Sequence, residues 1–207
     1  MSSPVPSMRV ILASASPARL DTLRRAGIDP EVIVSGVDES RLHADTPAQL
    51  VAVLAKAKGV ALDSLLSPSD NAIVIACDSL LELDGRACGK PGTPERAKAQ
   101  WLAMRGRTGF LHTGHYVLVQ HDNEWACDTR VSTTTVEFAN VTDAEIDAYV
   151  ATGEPLQVAG AFTIDGYGGA FVTRIKGDPH NVIGLSLPLV REMLLGLGMS
   201  YTSLWNS

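Results

Sequence analysis

Between Asn71 and Cys77 the chain reads Asn-Ala-Ile-Val-Ile-Ala-Cys, apolar at every position after the first until Asp78 breaks the run. A segment that is apolar on both alternating sides reads as a strand covered on both faces. Helices must supply that cover, which points to an α/β architecture. The flanking sequence provides them. Arg9 to Ala13 reads as another short buried strand. Ser16-Pro17 then opens a helix with serine at the N-cap and proline in the first turn, Leu20, Leu23 and Ala26 inward and Gly27 as its stop. Glu31 to Ser35 is extended and ends in the polar loop Gly36-Val37-Asp38-Glu39. Thr46-Pro47-Ala48-Gln49 is a capping box, and the helix after it carries Leu50, Val53, Leu54, Ala57, Val60 and Ala61 on one stripe.

Beyond Asp78, the pair Asp84-Gly85 suits the left-handed turn of a hairpin. Thr93-Pro94 caps a helix with Ala97, Trp101 and Met104 inward and Gly106 as its stop. His115 to Gln120 and Arg130 to Phe138 read as an antiparallel pair joined through Asp122-Asn123. Thr142-Asp143-Ala144-Glu145 is a second capping box, for a helix ended by Gly153 and Pro155. A glycine-rich stretch, Gly160 to Gly169, leads to a strand at Phe171 to Ile175, and a loop from Gly177 to Leu187 precedes a last helix near Pro188. No internal repeat or long linker divides the 207 residues. The expectation is one α/β domain around a mixed sheet, creased into two lobes with a cleft between them, and a flexible extension at residues 1–7.

Composition narrows the function classes. Hydrophobic residues make up 45% of the chain and charged residues 19%, values of a compact chain rather than a disordered one. A net charge of −6 argues against a broad grip on nucleic acid or anionic lipid, while leaving room for a local basic pocket. No apolar run approaches the roughly 18 residues of a membrane span. Val10-Ile11-Leu12 is too short for the apolar core of an export signal, which needs about 7 to 15 residues, so the chain reads as cytoplasmic. Three cysteines, Cys77, Cys88 and Cys127, fit neither a disulfide framework nor a four-thiolate zinc site, and the spacing of His112, His115 and His121 around Cys127 matches no common zinc pattern.

The first loop offers an anion site, because Ser14, Ser16 and the free N–H groups of the following helix converge at a positive helix end, with Arg19 one turn further in. From these residues alone the plainer reading, an N-cap beside a surface arginine, is the stronger. Lys58 borders the apolar stripe of its helix and Lys56 points to solvent, so Lys58 is the better pocket candidate; a lysine snorkelling at the core edge is the equal alternative. Asp38, Glu39 and Asp78 follow strands, so a sheet with these strands adjacent would place their carboxylates at one edge, suited to Mg²⁺ completed by water and phosphate oxygens. Asp38 reads better as a solvated loop acid. Gly85 with Gly89-Lys90 falls one residue short of a phosphate-binding P-loop, and Pro91 stands where the magnesium-binding hydroxyl belongs. Lys90 still has reach to an anion. A serine-hydrolase reading of Ser14 lacks the strand-turn-helix elbow that exposes such a nucleophile.

Taken together, Leu12-Ala-Ser-Ala-Ser-Pro-Ala-Arg19, Asp38-Glu39, Leu54-Ala-Lys-Ala-Lys58, Ala76-Cys-Asp-Ser79, Gly89-Lys-Pro91, Ala159-Gly-Ala-Phe162 and Gly177-Asp-Pro-His-Asn-Val-Ile-Gly-Leu185 resemble the Maf-like nucleoside triphosphate pyrophosphatases, in order and spacing, from Met8 to the last helix. The resemblance implies a Maf-like (ITPase-like) α/β fold, with a mixed sheet flanked by helices and two lobes around a central cleft, commonly as a homodimer. It implies metal-dependent hydrolysis of a nucleoside triphosphate, with modified nucleotides among the substrates, to the monophosphate and pyrophosphate. Ser14, Ser16, Arg19, Lys58 and Lys90 would bind phosphates. Glu39 and Asp78 would hold Mg²⁺ or Mn²⁺ and position water, with Asp78 the family's proton acceptor. Three positions depart from the family pattern and bear on base preference: Ala18 replaces an arginine, Ser79 stands where Thr or Gln is usual, and Asp165 where Gln or Glu is common. The family is also named for septum inhibition, so a non-catalytic nucleotide-binding regulator of cell division is the alternative; retention of both Glu39 and Asp78 favours the enzyme.

Overall fold

The computed structural model describes residues 8–63, 65–67, 70–121 and 124–205. The extension at 1–7 and the turn at Asp122-Asn123 lie outside them. Among the described residues, seven strands form one mixed sheet. β1 (Arg9–Leu12) pairs in parallel with β2 (Glu31–Val32) on one side and β3 (Ala72–Leu83) on the other. Antiparallel pairing then carries β3 to β5 (Thr108–His121), β6 (Glu124–Phe138) and β7 (Val172–Lys176), while β4 (Arg86–Cys88) folds back on β3 through the Asp84-Gly85 hairpin. Both residues of that turn have positive φ, 52° and 74°.

The helices cover the sheet as the long apolar run requires. Leu12, Ile73, Ile75 and Cys77 pack under α1 (Pro17–Arg25) and α6 (Leu187–Gly196), and Ile11, Val74 and Ala76 under α2 (Pro47–Asp63). The second lobe shares the same strands. Leu81, Leu83, Leu111, Val136 and Phe138 pack against α3 (Pro94–Met104) and α4 (Asp143–Ala151), where Trp101 sits edge-on to Phe138, Tyr149 and Phe171. The capping box of Thr142 and Glu145 forms in full. Among the described residues no helix is long and apolar enough to cross a membrane.

Four elements differ from the reading of the sequence. β3 does not stop at Asp78; it runs through it to Leu83, because the strand leaves one apolar core, crosses the cleft and enters the other. β2 is only two residues long, so Asp38 and Glu39 come from a loop and a 3-10 turn, not from a strand end. The segment expected as a loop from Gly177 to Leu187 contains α5 (Pro179–Ile183). The buried stripe of α2 is Val51, Leu54, Ala55, Gly59 and Leu62, with Val53 and Val60 exposed. Glycine decides that rotation. The Tyr116 ring lies where a Cβ on Gly59 would be, and the Val51 carbonyl lies where one on Gly114 would be, so helix and sheet meet at two bare backbones.

Candidate functional site

A cleft of about 510 Å³ opens between the lobes. Its near wall comes from residues 13–19, Val34 to Val37, Glu39 and Lys58; Asp78 and Ser79 form the floor, and Lys90 with Gln157, Val158, Ala159, Phe162 and Thr163 the far wall. Nine of the residues singled out from the sequence therefore meet in one place: Ser14, Ser16, Ala18, Arg19, Glu39, Lys58, Asp78, Ser79 and Lys90. Asp165 is not among the lining residues. It is exposed and accepts from the hydroxyl of Thr163, which does line the cleft.

Arg19 is not a surface residue. It is 8% exposed, and its partners are neutral: Nε donates to the Gly184 carbonyl at 2.7 Å, Nη1 to Ser14 Oγ at 2.9 Å and Nη2 to Ser79 Oγ at 3.0 Å. Among the described residues no carboxylate pairs with it. A buried guanidinium without a counter-ion leaves a local positive charge, which an anion in the cleft would neutralise. Ser14 accepts a second hydrogen bond, from the Ser16 N–H at 3.2 Å, and its own proton meets no acceptor among the described residues. Ser16 occupies the N-cap position of α1 by backbone geometry, but its side chain makes no capping bond.

Across the floor, Lys58 Nζ lies 2.5 Å from Asp78 Oδ1 and 2.8 Å from Glu39 Oε1. The lysine and Asp78 are nearly buried while Glu39 is half exposed. Two carboxylates thus converge on a single cationic point, and that donor set fits a hard divalent ion, which takes one or two carboxylates and completes its shell with water and phosphate oxygens. No group of three or more His, Cys, Asp or Glu suited to a metal occurs among the described residues. Asp38 instead caps the 3-10 turn, accepting from the N–H and hydroxyl of Ser40, which leaves it a local structural role. Lys90 is exposed at the rim, without an ion pair among the described residues.

The sequence reading missed the layer behind Arg19. Thr113, His115 and Asn181 are fully buried. His115 Nδ1–H donates to the Thr113 carbonyl at 3.0 Å, and Nε2 accepts from the Ser186 N–H at 2.8 Å, which fixes a neutral ring. Burial, then the positive charge of Arg19, pushes its pKa down to about 4. Burial likewise pushes the Cys77 thiol up to about 12, so it is inert packing. The only signal for Gly184 was its place inside the Gly177 to Leu185 stretch.

A family model described as Maf-like protein matches residues 9–197. A Cutibacterium acnes protein named nucleoside triphosphate pyrophosphatase is 56% identical over 200 residues, covering 95% of this chain and 94% of its own. Proteins of the same name from Streptomyces avermitilis and Streptomyces coelicolor are 54% and 52% identical, covering 97% and 98% of this chain and 96% and 97% of their own. The Staphylococcus aureus Ham1 protein structure matches 91% of this chain and 99% of its own at 15% identity and a TM-score of 0.44, too remote to bear on the site.

Proposed function

The chain belongs to the Maf-like family, and from that premise we propose that it is a nucleoside triphosphate pyrophosphatase whose cleft binds the triphosphate and releases pyrophosphate and the monophosphate. The observation that carries this reading is the pairing of a buried, counter-ion-free Arg19 with two carboxylates gathered by Lys58 in one cleft.

In the proposed reaction Arg19, Ser14 and the first turn of α1 hold phosphate oxygens by charge and by donors already aimed into the cleft. Lys90 and Lys58 add positive charge around a substrate bearing about four negative charges. Asp78 accepts the proton of the water that attacks the α-phosphorus, as the bond to the bridging oxygen breaks and its electron pair leaves with pyrophosphate. Glu39 and Asp78 would hold Mg²⁺ or Mn²⁺, which supplies neutralisation of the leaving group's charge. A regulator that only bound nucleotide would not need Glu39 or Asp78, whereas a hydrolase uses both.

The deciding measurement is product analysis on a panel of nucleoside and deoxynucleoside triphosphates, modified bases included, with Mg²⁺, with Mn²⁺ and in excess chelator. Equal amounts of pyrophosphate and monophosphate, only with metal, are expected. Release of orthophosphate would make the protein a phosphatase instead. Tight nucleotide binding with no turnover in any arm would favour the regulator.

A further inference from the structure

We propose that Thr113, which does not line the cleft, is a positioning residue for the substrate-binding guanidinium, acting through the hydroxyl of Ser79. The proposal rests on Arg19 being a phosphate ligand. Its basis is the direction of three consecutive hydrogen bonds. Thr113 Oγ1 lies 3.1 Å from the backbone carbonyl of Asn181, which can only accept, so the single hydroxyl proton of Thr113 is committed there. Ser79 Oγ lies 3.0 Å from Thr113 Oγ1, and Ser79 must be the donor in that pair. The one proton of Ser79 is thereby spent, and its lone pairs are what Arg19 Nη2 meets at 3.0 Å.

Ser79 and Thr113 stand directly opposite each other on β3 and β5, and Asn181 lies in α5. The Gly184 carbonyl just beyond α5 takes the Nε–H of the same guanidinium. Of the five N–H donors of an arginine, three are held by protein acceptors, and two remain for a ligand, one on each terminal nitrogen. Without the Thr113 hydroxyl, the Ser79 rotor is free to turn its proton toward Arg19 or toward a bound phosphate. When the proton turns toward Arg19, the acceptor that orients the fork is lost. Thr113 is fully buried, so no solvent molecule takes over without rearrangement.

The test is a double-mutant cycle on kcat/KM for pyrophosphate release, using Thr113→Val, which keeps shape and deletes the hydroxyl, and Ser79→Ala. Thr113→Val should lower kcat/KM on the order of tenfold, Thr113→Ser should restore it, and Thr113→Val should add nothing in the Ser79→Ala background. A loss that simply multiplies in the double mutant, or an unchanged kcat/KM in Thr113→Val, would overturn the proposal. The second readout is independent of turnover: hydrogen exchange of the Arg19 Nη2 protons followed by ¹⁵N NMR. Slow exchange in the wild type and in Thr113→Ser, with faster exchange in Thr113→Val, is expected; equal exchange in all three would overturn the proposal. If the wild type releases no pyrophosphate from any nucleotide while this exchange pattern holds, the catalytic reading fails and the positioning role stands. Should Thr113→Val not fold, Thr113→Cys replaces it; the weak thiol donor should give a partial loss and partly faster exchange, and full wild-type behaviour would overturn the proposal.

Discussion

Lys58 Nζ and Asp78 Oδ1 lie 2.5 Å apart, with Glu39 on the other side of the same ammonium, so the proposed proton acceptor is ion-paired before any substrate arrives. Lys58 reaches that point from the buried edge of α2, and Asp78 from the middle of a strand, so neither depends on a mobile loop. Asp78→Asn keeps the shape and removes the proton-accepting charge. It should lower kcat by about 10² to 10⁴ while nucleotide affinity, read by calorimetry, changes little. Glu39→Gln, measured alongside, should raise the metal concentration needed for half-maximal rate. Near-normal turnover in Asp78→Asn with collapse in Glu39→Gln would reverse the assignment.

Arg19 and Lys90 should separate on stability. Lys90 is exposed, and Lys90→Ala should shift the urea unfolding free energy by no more than about 0.5 kcal/mol. Arg19→Ala leaves the buried Gly184 carbonyl without its donor and should cost roughly 2 kcal/mol. Both should lower kcat/KM, on the order of tenfold or more. Full kcat/KM in either variant would remove that residue from the proposed phosphate site.

Gly114 faces Asp78 across the β3–β5 ladder, and a Cβ there would lie 2.1 Å from the Val51 carbonyl oxygen. A backbone atom cannot rotate away as a side chain does. Gly114→Ala should therefore push α2 off the sheet, cost about 3 kcal/mol in unfolding free energy and reduce turnover by displacing Lys58 from Asp78. Unchanged thermal stability would mean that the helix has room to shift.

His115 makes stability depend on pH. Its pKa falls from the ordinary 6.5 to about 4 on folding, so the unfolded chain takes up a proton in that interval and the folded chain does not. The stabilising contribution is complete above pH 6.5, drains away as pH falls toward 4 and is level below that, amounting to roughly 2 kcal/mol between pH 7 and pH 5. Urea midpoints at those two pH values, compared with His115→Gln, check it; the variant should lose the slope attributable to this ring.

The sequence was most informative where chemistry and periodicity are local. The Asp84-Gly85 turn, the Thr142–Glu145 box and the inward set Ala97, Trp101 and Met104 all form as read. It was least informative where tertiary contact overrides a local pattern. The stripe of α2 is displaced because Gly59, which contributes no hydrophobicity, marks the closest approach to Tyr116. The burial of Arg19 had no local signature, since its partners Ser79 and Gly184 are 60 and 165 residues away. The floor of the cleft was misplaced by only a structural detail: polarity begins at Asp78, but the strand continues because the next lobe claims Leu81 and Leu83.

The Arg19–Gly184 contact also dates the site in the life of the chain. The guanidinium leaves the ribosome near the start of synthesis, and the carbonyl that fixes it emerges 165 residues later, after all seven strands. Contacts of such span form late and raise the barrier to folding, because the intervening loop must be closed before they contribute. A nascent chain that ends just before α5 has all seven described strands but lacks the Gly184 carbonyl that takes the Arg19 Nε–H, so the guanidinium is held through Ser14 and Ser79 alone.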